Sequence, residues 1–298
     1  MTPEISVIIP YYEGEKWLAK AVSSVLAQTG VELEIIVVDD GSKSRPDAMI
    51  ASLNNPGIRL LAIGHAGKGA AINAGVRMSR SDCICVLDQD DVMLANRLDS
   101  QLKALHGNPA IDAVYSDYER RTESGELIDT FISRPADNAQ LLHAMAAATG
   151  LFSMQTLTLR KKAFVELKGF SEDIRLTGLD DAEFFSRLLA RGVRLGYVPG
   201  VFACWVSHSA NYSKSREFYN TRLVLLDRLS ELAALYPAIK KELPHFKHHA
   251  YYMRGLSRLE ANDPRAALRE FVCALKCDPC SPDLFYLIGK SFFLALAG

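Results

Sequence analysis

The 298-residue chain has no surplus of charge of either sign: 34 Lys and Arg face 35 Asp and Glu, a formal net charge of -1. A protein that neutralises a nucleic-acid backbone needs a positive excess, so no nucleic-acid partner is expected. No stretch approaches the ~20 consecutive apolar residues of a membrane span. The opening MTPEISVIIPYYEGEK also lacks the basic, apolar and small-residue succession of a secretory signal. The expectation is a cytoplasmic protein, with peripheral attachment to the inner face of a membrane left open. Neither G-x-G-x-x-G nor a Walker loop occurs, which argues against dehydrogenase and P-loop readings. Cysteine is scarce too, and the six present sit mostly in apolar runs that suit reduced, buried thiols better than a disulfide framework. Cys273, Cys277 and Cys280 have a spacing that iron–sulfur ligation could use. The first two fall on a helical stretch and nothing else supports cluster chemistry, so that reading is set aside.

What the chain does have is an ordinary globular composition, 49% hydrophobic and 23% charged, and length enough for one large α/β domain with an appendage. Ile5 to Pro10 and Glu34 to Val38 read as strands buried on both faces. Between them Trp17, Leu18, Ala21, Val22, Val25 and Leu26 recur at helical spacing, which makes a βαβ unit. Ile58 to Ile63 and Cys83 to Leu87 read as further strands around a helix at Gly69 to Met78, then a helix at Arg97 to His106, a strand at Ala113 to Ser116 and a hairpin turning at Gly125. The pattern predicts an open, mostly parallel sheet flanked by helices, with ligands at the carboxyl ends of its strands. In GLDDAEFFSRLLARG an apolar stripe of Phe184, Phe185, Leu188 and Leu189 follows three acids in the first turn.

Three polar clusters then fall on one rim: Tyr11 to Glu13, Asp39 to Ser42, and Asp88 to Asp91 in ICVLDQDDVM. Asp88 and Asp90, at i and i+2, leave a strand toward one side and could share a hard divalent cation whose open positions take phosphate oxygens. A solvated acidic loop or a helix cap is the plainer alternative. At the end of the second strand, Asp39 and Asp40 stand where α/β proteins bind nucleotides, and something other than a glycine cradle must handle a diphosphate.

Five ordered motifs, SVIIPYYEGEKWLAKAVSSVLAQ, EIIVVDDGS, HAGKGAAINAG, ICVLDQDD and KGFSEDIRLTGLDDAEFFSRL, resemble the inverting family 2 glycosyltransferases of the GT-A fold over roughly residues 4 to 210. The resemblance implies an enzyme moving a sugar from a nucleotide-diphosphate donor, UDP-linked, to a hydroxyl of a saccharide or lipid-linked acceptor, in cell-surface polysaccharide or glycoconjugate synthesis. It implies Pro10, Tyr11, Glu13, Asp39, Asp40 and Lys68 at the nucleotide, and Asp88, Gln89 and Asp91 at the donor sugar and diphosphate. Asp88 and Asp90, with His208, would hold Mn or Mg. In the acidic pair before the helix, matched with Arg187, Asp181 is the general base and Asp180 lies on the acceptor side; capping the helix is the structural alternative for both. The chain departs from the family where His65 replaces an asparagine and Ile72 an arginine, while Asn73 and Gly75 are kept and Lys168-Gly169-Phe170 stands for Gly-Gly-Phe. A nucleotidyltransferase of similar fold would want a glycine- and base-rich first loop, which PYYEGEK is not; an inactive scaffold protein is the rival from another class.

Residues 1–214 are read as the catalytic domain and 215–298 as a helical region that could serve self-association or a protein partner. There Tyr251, Gly255, Ala267, Phe271, Ala274 and Pro279 follow tetratricopeptide offsets, and Gly289 lies 34 residues after Gly255. A plain helical hairpin fits the same residues.

Overall fold

The computed structural model describes residues 2–147, 153–279 and 281–297; Cys280, the third cysteine of the run above, lies outside them. In chain order the elements are β1 (Ile5–Tyr11), α1 (Glu15–Leu26), β2 (Leu33–Asp40), α2 (Asp47–Ser52), β3 (Ile58–Ile63), α3 (Lys68–Met78), β4 (Cys83–Val86), β5 (Val92–Met93) and α4 (Arg97–Gly107). There follow β6 (Ala113–Thr122), β7 (Leu127–Phe131), α5 (Asn138–Ala146), β8 (Thr158–Arg160), α6 (Lys161–Glu166), α7 (Asp180–Ala190) and β9 (Leu195–Ser207). Four helices close the chain: α8 (Arg216–Leu232), α9 (Pro237–Glu260), α10 (Pro264–Cys277) and α11 (Pro282–Ala297).

Among the described residues nine strands form one sheet in the order β3-β2-β1-β4-β8-β6-β9-β5, with β7 paired antiparallel to the later residues of β6, off this path. Pairing is parallel from β3 to β4 and again between β6 and β9. Short β8 runs antiparallel between β4 and β6, and β5 antiparallel on β9. The open, mostly parallel sheet expected from the alternation is therefore present, with an antiparallel insertion at its middle.

Strand periodicity divides the core. Ile5, Val7, Ile9, Ile35, Val37, Cys83 and Cys85 point to the face covered by α1 and α4. Ile8, Ile36, Val38, Ile84 and Val86 point to the opposite face, covered by α3, α5 and α7. On α1, Leu18, Val22 and Val25 are fully buried, each contributing roughly 1.5–3 kcal/mol. Leu225, Leu226 and Leu229 of α8 and Ile239, Phe246 and Ala250 of α9 join the second of these cores. Farther on, Ala267, Phe271 and Ala274 of α10 pack with Leu284 and Leu287 of α11 in a cluster of their own. Gly255 of α9 lets α10 pack closely against α9, because a Cβ there would fall 2.3 Å from the Phe271 ring. No helix among the described residues is long and apolar enough to cross a membrane.

Candidate active site

A cleft of about 620 Å³ opens at the carboxyl ends of β1, β2 and β4, a size that takes a small organic ligand. Of the residues singled out in the sequence it brings together Pro10, Tyr11, Asp40, Lys68, Asp88, Gln89, Asp90 and Asp181. Glu13, Asp39, Asp91, Asp180 and His208 stand behind that lining. Asp39 turns inward, its Oδ1 accepting from the Ser42 amide at 2.9 Å, and Glu13 accepts from the Lys43 amide at 2.8 Å. Asp40 accepts from the amides of Ala66 and Gly67 at 2.7 and 2.9 Å, so it positions the loop that carries His65.

The acidic cluster is not the pair of co-directed strand residues that i, i+2 spacing suggested. β4 ends at Val86, and Asp88 to Asp91 form a turn closed by the Asp91 amide on the Asp88 carbonyl at 3.1 Å. Within the turn the aspartates take different main partners, while the Gln155 amide donates to both Asp88, at 3.4 Å, and Asp91. Asp88 holds Lys68, whose Nζ lies 2.7 Å from Oδ1 and 2.9 Å from Oδ2. Asp90 meets His208 Nε2 at 2.9 Å and Asn211 Nδ2 at 3.3 Å. Asp91, expected beside the donor sugar, is 1% exposed and accepts from the Val206 amide at 2.9 Å and from Gln155. Burial, then Asp90 and Asp88, push its carboxyl well above the usual range. Burial and Asp88 raise Asp90 as well, against the opposing hydrogen bond from His208. Gln89 sits between them with its amide on the backbone of Tyr12, donating to the carbonyl at 3.0 Å and accepting from the N–H at 2.9 Å; it fastens the β1 loop to the turn.

The donor set fits a divalent cation in part. The 2.9 Å between Asp90 Oδ2 and His208 Nε2 is close to the ~3 Å separating adjacent ligands of an octahedral ion with ~2.1 Å bonds. His208 is buried, stacks on Trp17 with centroids 4.3 Å apart, and among the described residues its Nδ1 has no hydrogen-bond partner. Asp88 is turned to Lys68 and would have to share that carboxylate to join.

Asp181 reaches the cleft from the first turn of α7, and the motif residues around it explain its placement. Arg187 donates to the carbonyls of Leu167 and Gly169 at 2.6 and 2.8 Å and pairs with Glu183 at 2.6 Å. Asn73 of α3 clasps Phe170 on both sides, accepting from its amide at 2.9 Å and donating to its carbonyl at 3.0 Å. Gly69 allows α3 to come this close, since a Cβ there would lie 2.2 Å from the Ser171 carbonyl oxygen. Burial, then the neighbouring Asp180 charge, push the Asp181 carboxyl up to about 6, with Lys68 opposing. Asp180 is 3% exposed, and among the described residues no side chain hydrogen-bonds to its carboxylate. Burial raises its pKa as well, with Lys68 opposing. Lys68 itself is held above the ordinary lysine value: burial works against its charge, but Asp88, Asp180 and Asp181 outweigh it.

Aromatic and amide side chains complete the lining. Tyr12 stacks on His65 with ring centroids 4.4 Å apart, so the histidine that replaces an asparagine supplies a flat aromatic face. Gln155, Trp205, Asn211 and Tyr212 also line the cleft. Their approach depends on contacts across the chain, such as the one from Val206 to Asp91 over 115 residues, and local spacing gives no signal for them.

A profile of the family described as Glycosyl transferase family 2 matches residues 6–164. The succinoglycan biosynthesis protein ExoO of Rhizobium meliloti is 37% identical over 97 residues, 32% of this chain and 28% of that protein. An uncharacterized glycosyltransferase of Rickettsia felis is 30% identical over 182 residues, 59% of this chain and 30% of its own. The chain thus spans less than a third of the length of these two relatives. Among solved structures, S. aureus TarS 1-349 in complex with UDP-GlcNAc superposes with a TM-score of 0.68 at 15% identity, covering 99% of this chain and 89% of that one. The mannosyltransferase PcManGT of Pyrobaculum calidifontis, in complex with GDP-Man and Mn2+, gives 0.59 at 19% identity over 99% and 81%. At these identities the likeness speaks for the fold, an open sheet of the GT-A type.

Proposed function

The chain belongs to glycosyl transferase family 2, and on that premise we propose that its cleft transfers a sugar from a nucleoside-diphosphate donor to an acceptor hydroxyl with inversion at the anomeric carbon. The observation that carries the proposal is the placement of Asp181: a carboxyl pushed up to about 6, on the same cleft as Lys68, Asp88 and Asp90. A general base works best when its pKa lies near the working pH, and above about 6 this one is ionised and able to accept a proton.

In the proposed reaction the acceptor O–H gives its proton to an Asp181 carboxylate oxygen. The acceptor oxygen forms the new bond to the anomeric carbon, and the bond from that carbon to the diphosphate breaks, its electron pair leaving with the nucleotide. Attack opposite the leaving group inverts the centre. Lys68 offers a fixed positive charge to the diphosphate. Asp90 and His208, joined by Asp88, would hold a divalent cation; the imidazole in that set favours Mn over Mg, which prefers oxygen alone. Such an ion would neutralise charge on the departing diphosphate. The stacked Tyr12 and His65 offer a face for a base, and Pro10 and Tyr11 line the same cleft. UDP is the proposed nucleotide and a saccharide or lipid-linked hydroxyl the proposed acceptor, in line with the TarS complex and the ExoO relative. Residues 215–298 are proposed as a tetratricopeptide-like region, a candidate for self-association or for a protein partner.

A thermal-shift screen of UDP- and GDP-sugars with and without manganese tests the donor reading. A metal-dependent rise with at least one donor, lost in Asp90→Ala, is expected. Indifference to every donor would contradict it.

A further inference from the structure

Three metal-ligating side chains converge where α5 meets α9, and none of them lines the cleft. His143 comes from α5; Glu242 and His245 come from α9, three residues apart and so on one helical face. His143 Nδ1 lies 2.9 Å and His245 Nδ1 3.1 Å from the same Glu242 oxygen, Oε2. The three ligand atoms all fall within 4.8 Å of one another. The imidazole planes stand at 84° with centroids 4.7 Å apart, so both ring nitrogens approach one point without the rings colliding.

Glu242 is 5% exposed, and among the described residues its ion-pair partners are these two histidines. Burying a carboxylate is costly unless a positive charge compensates it. A cation at the point where the three atoms converge would satisfy all of them. Zinc bonds of ~2.0–2.1 Å set tetrahedral ligand edges near ~3.4 Å, which the present 2.9 and 3.1 Å contacts reach by opening a few tenths of an ångström. Two imidazoles and one carboxylate suit zinc better than magnesium or manganese. Both histidines are about half exposed, with side chains 54% and 47% accessible, which leaves an entry path and room for a water ligand.

We propose that His143, Glu242 and His245 bind one Zn(II) ion that clasps the first C-terminal helices to the layer over the sheet. The ion would pin α9, whose Ile239 and Phe246 already enter the same core as Leu141 and Leu142 of α5. It is separate from any ion bound at Asp88 and Asp90.

The test uses the full chain without a histidine tag, stripped with chelator and titrated with zinc against a chromophoric competitor. One zinc per chain is expected, with a dissociation constant at or below about 1 μM. His143→Ala and His245→Ala should each weaken it by at least ~100-fold, since even outer-sphere changes cost 10–100-fold. Asp90→Ala should leave it intact. Cobalt(II) should give the visible bands of a four-coordinate centre in the wild type and lose them in Glu242→Gln. Circular dichroism establishes that the variants fold; both histidines are half exposed, so they should. Zinc binding that survives the double histidine variant, or no binding above background, would overturn the proposal.

Discussion

Lys68 Nζ lies 2.7 and 2.9 Å from the two carboxylate oxygens of Asp88, so the cleft holds a fixed positive charge inside its acidic cluster. That charge also lowers the pKa of Asp181. In Lys68→Met the diphosphate loses a charged partner worth about 2 kcal/mol, and kcat/KM should fall roughly 30-fold. The base should also become harder to ionise: its pKa rises, and the acid limb of the rate profile moves above its starting point near 6. A pH–rate profile checks both effects together.

Asp180 has the opposite sign. Its charge raises Asp181, so Asp180→Asn should lower that pKa and carry the acid limb to lower pH, while the plateau at alkaline pH stays where it was. An acid limb that fails to move would mean that Asp180 is already protonated in the working enzyme.

Asp91 is expected to matter for folding rather than for chemistry. Asp91→Ala strands the Val206 amide and leaves the Gln155 amide only its 3.4 Å contact with Asp88, at about 1–3 kcal/mol for each buried group so weakened. A loss of roughly 5–10 °C in Tm should follow. Asp91→Asn keeps an acceptor and removes a charge that burial penalises, so it should lose less. Differential scanning calorimetry on the two variants reads the difference.

Gly255→Val would press a side chain into the Phe271 ring and should cost about 1–3 kcal/mol. The damage should stay in α9 to α11, with donor binding unchanged. Hydrogen exchange would show lost protection there and none around β1, β2 and β4.

The sheet and the rim were legible because β1, β2 and β4 are buried on both faces and end in polar clusters, which one pass along the chain can see. β5, at two residues, is too short for any period to register. The motif acids could be named but not aimed: a turn, not an extended strand, directs Asp88, Asp90 and Asp91 to Lys68, His208 and Val206. The same holds for Asp180, whose place one residue before Asp181 gives no sign that it faces the protein interior.

The central claim is that Asp181 takes the acceptor proton. Asp181→Asn preserves shape and removes the base, so it should bind a nucleotide-sugar donor as the wild type does while turnover falls by at least ~100-fold. Calorimetric donor affinity and single-turnover transfer, measured on the same preparation at pH 8, decide it. Unchanged transfer in Asp181→Asn would place the base elsewhere and contradict the account.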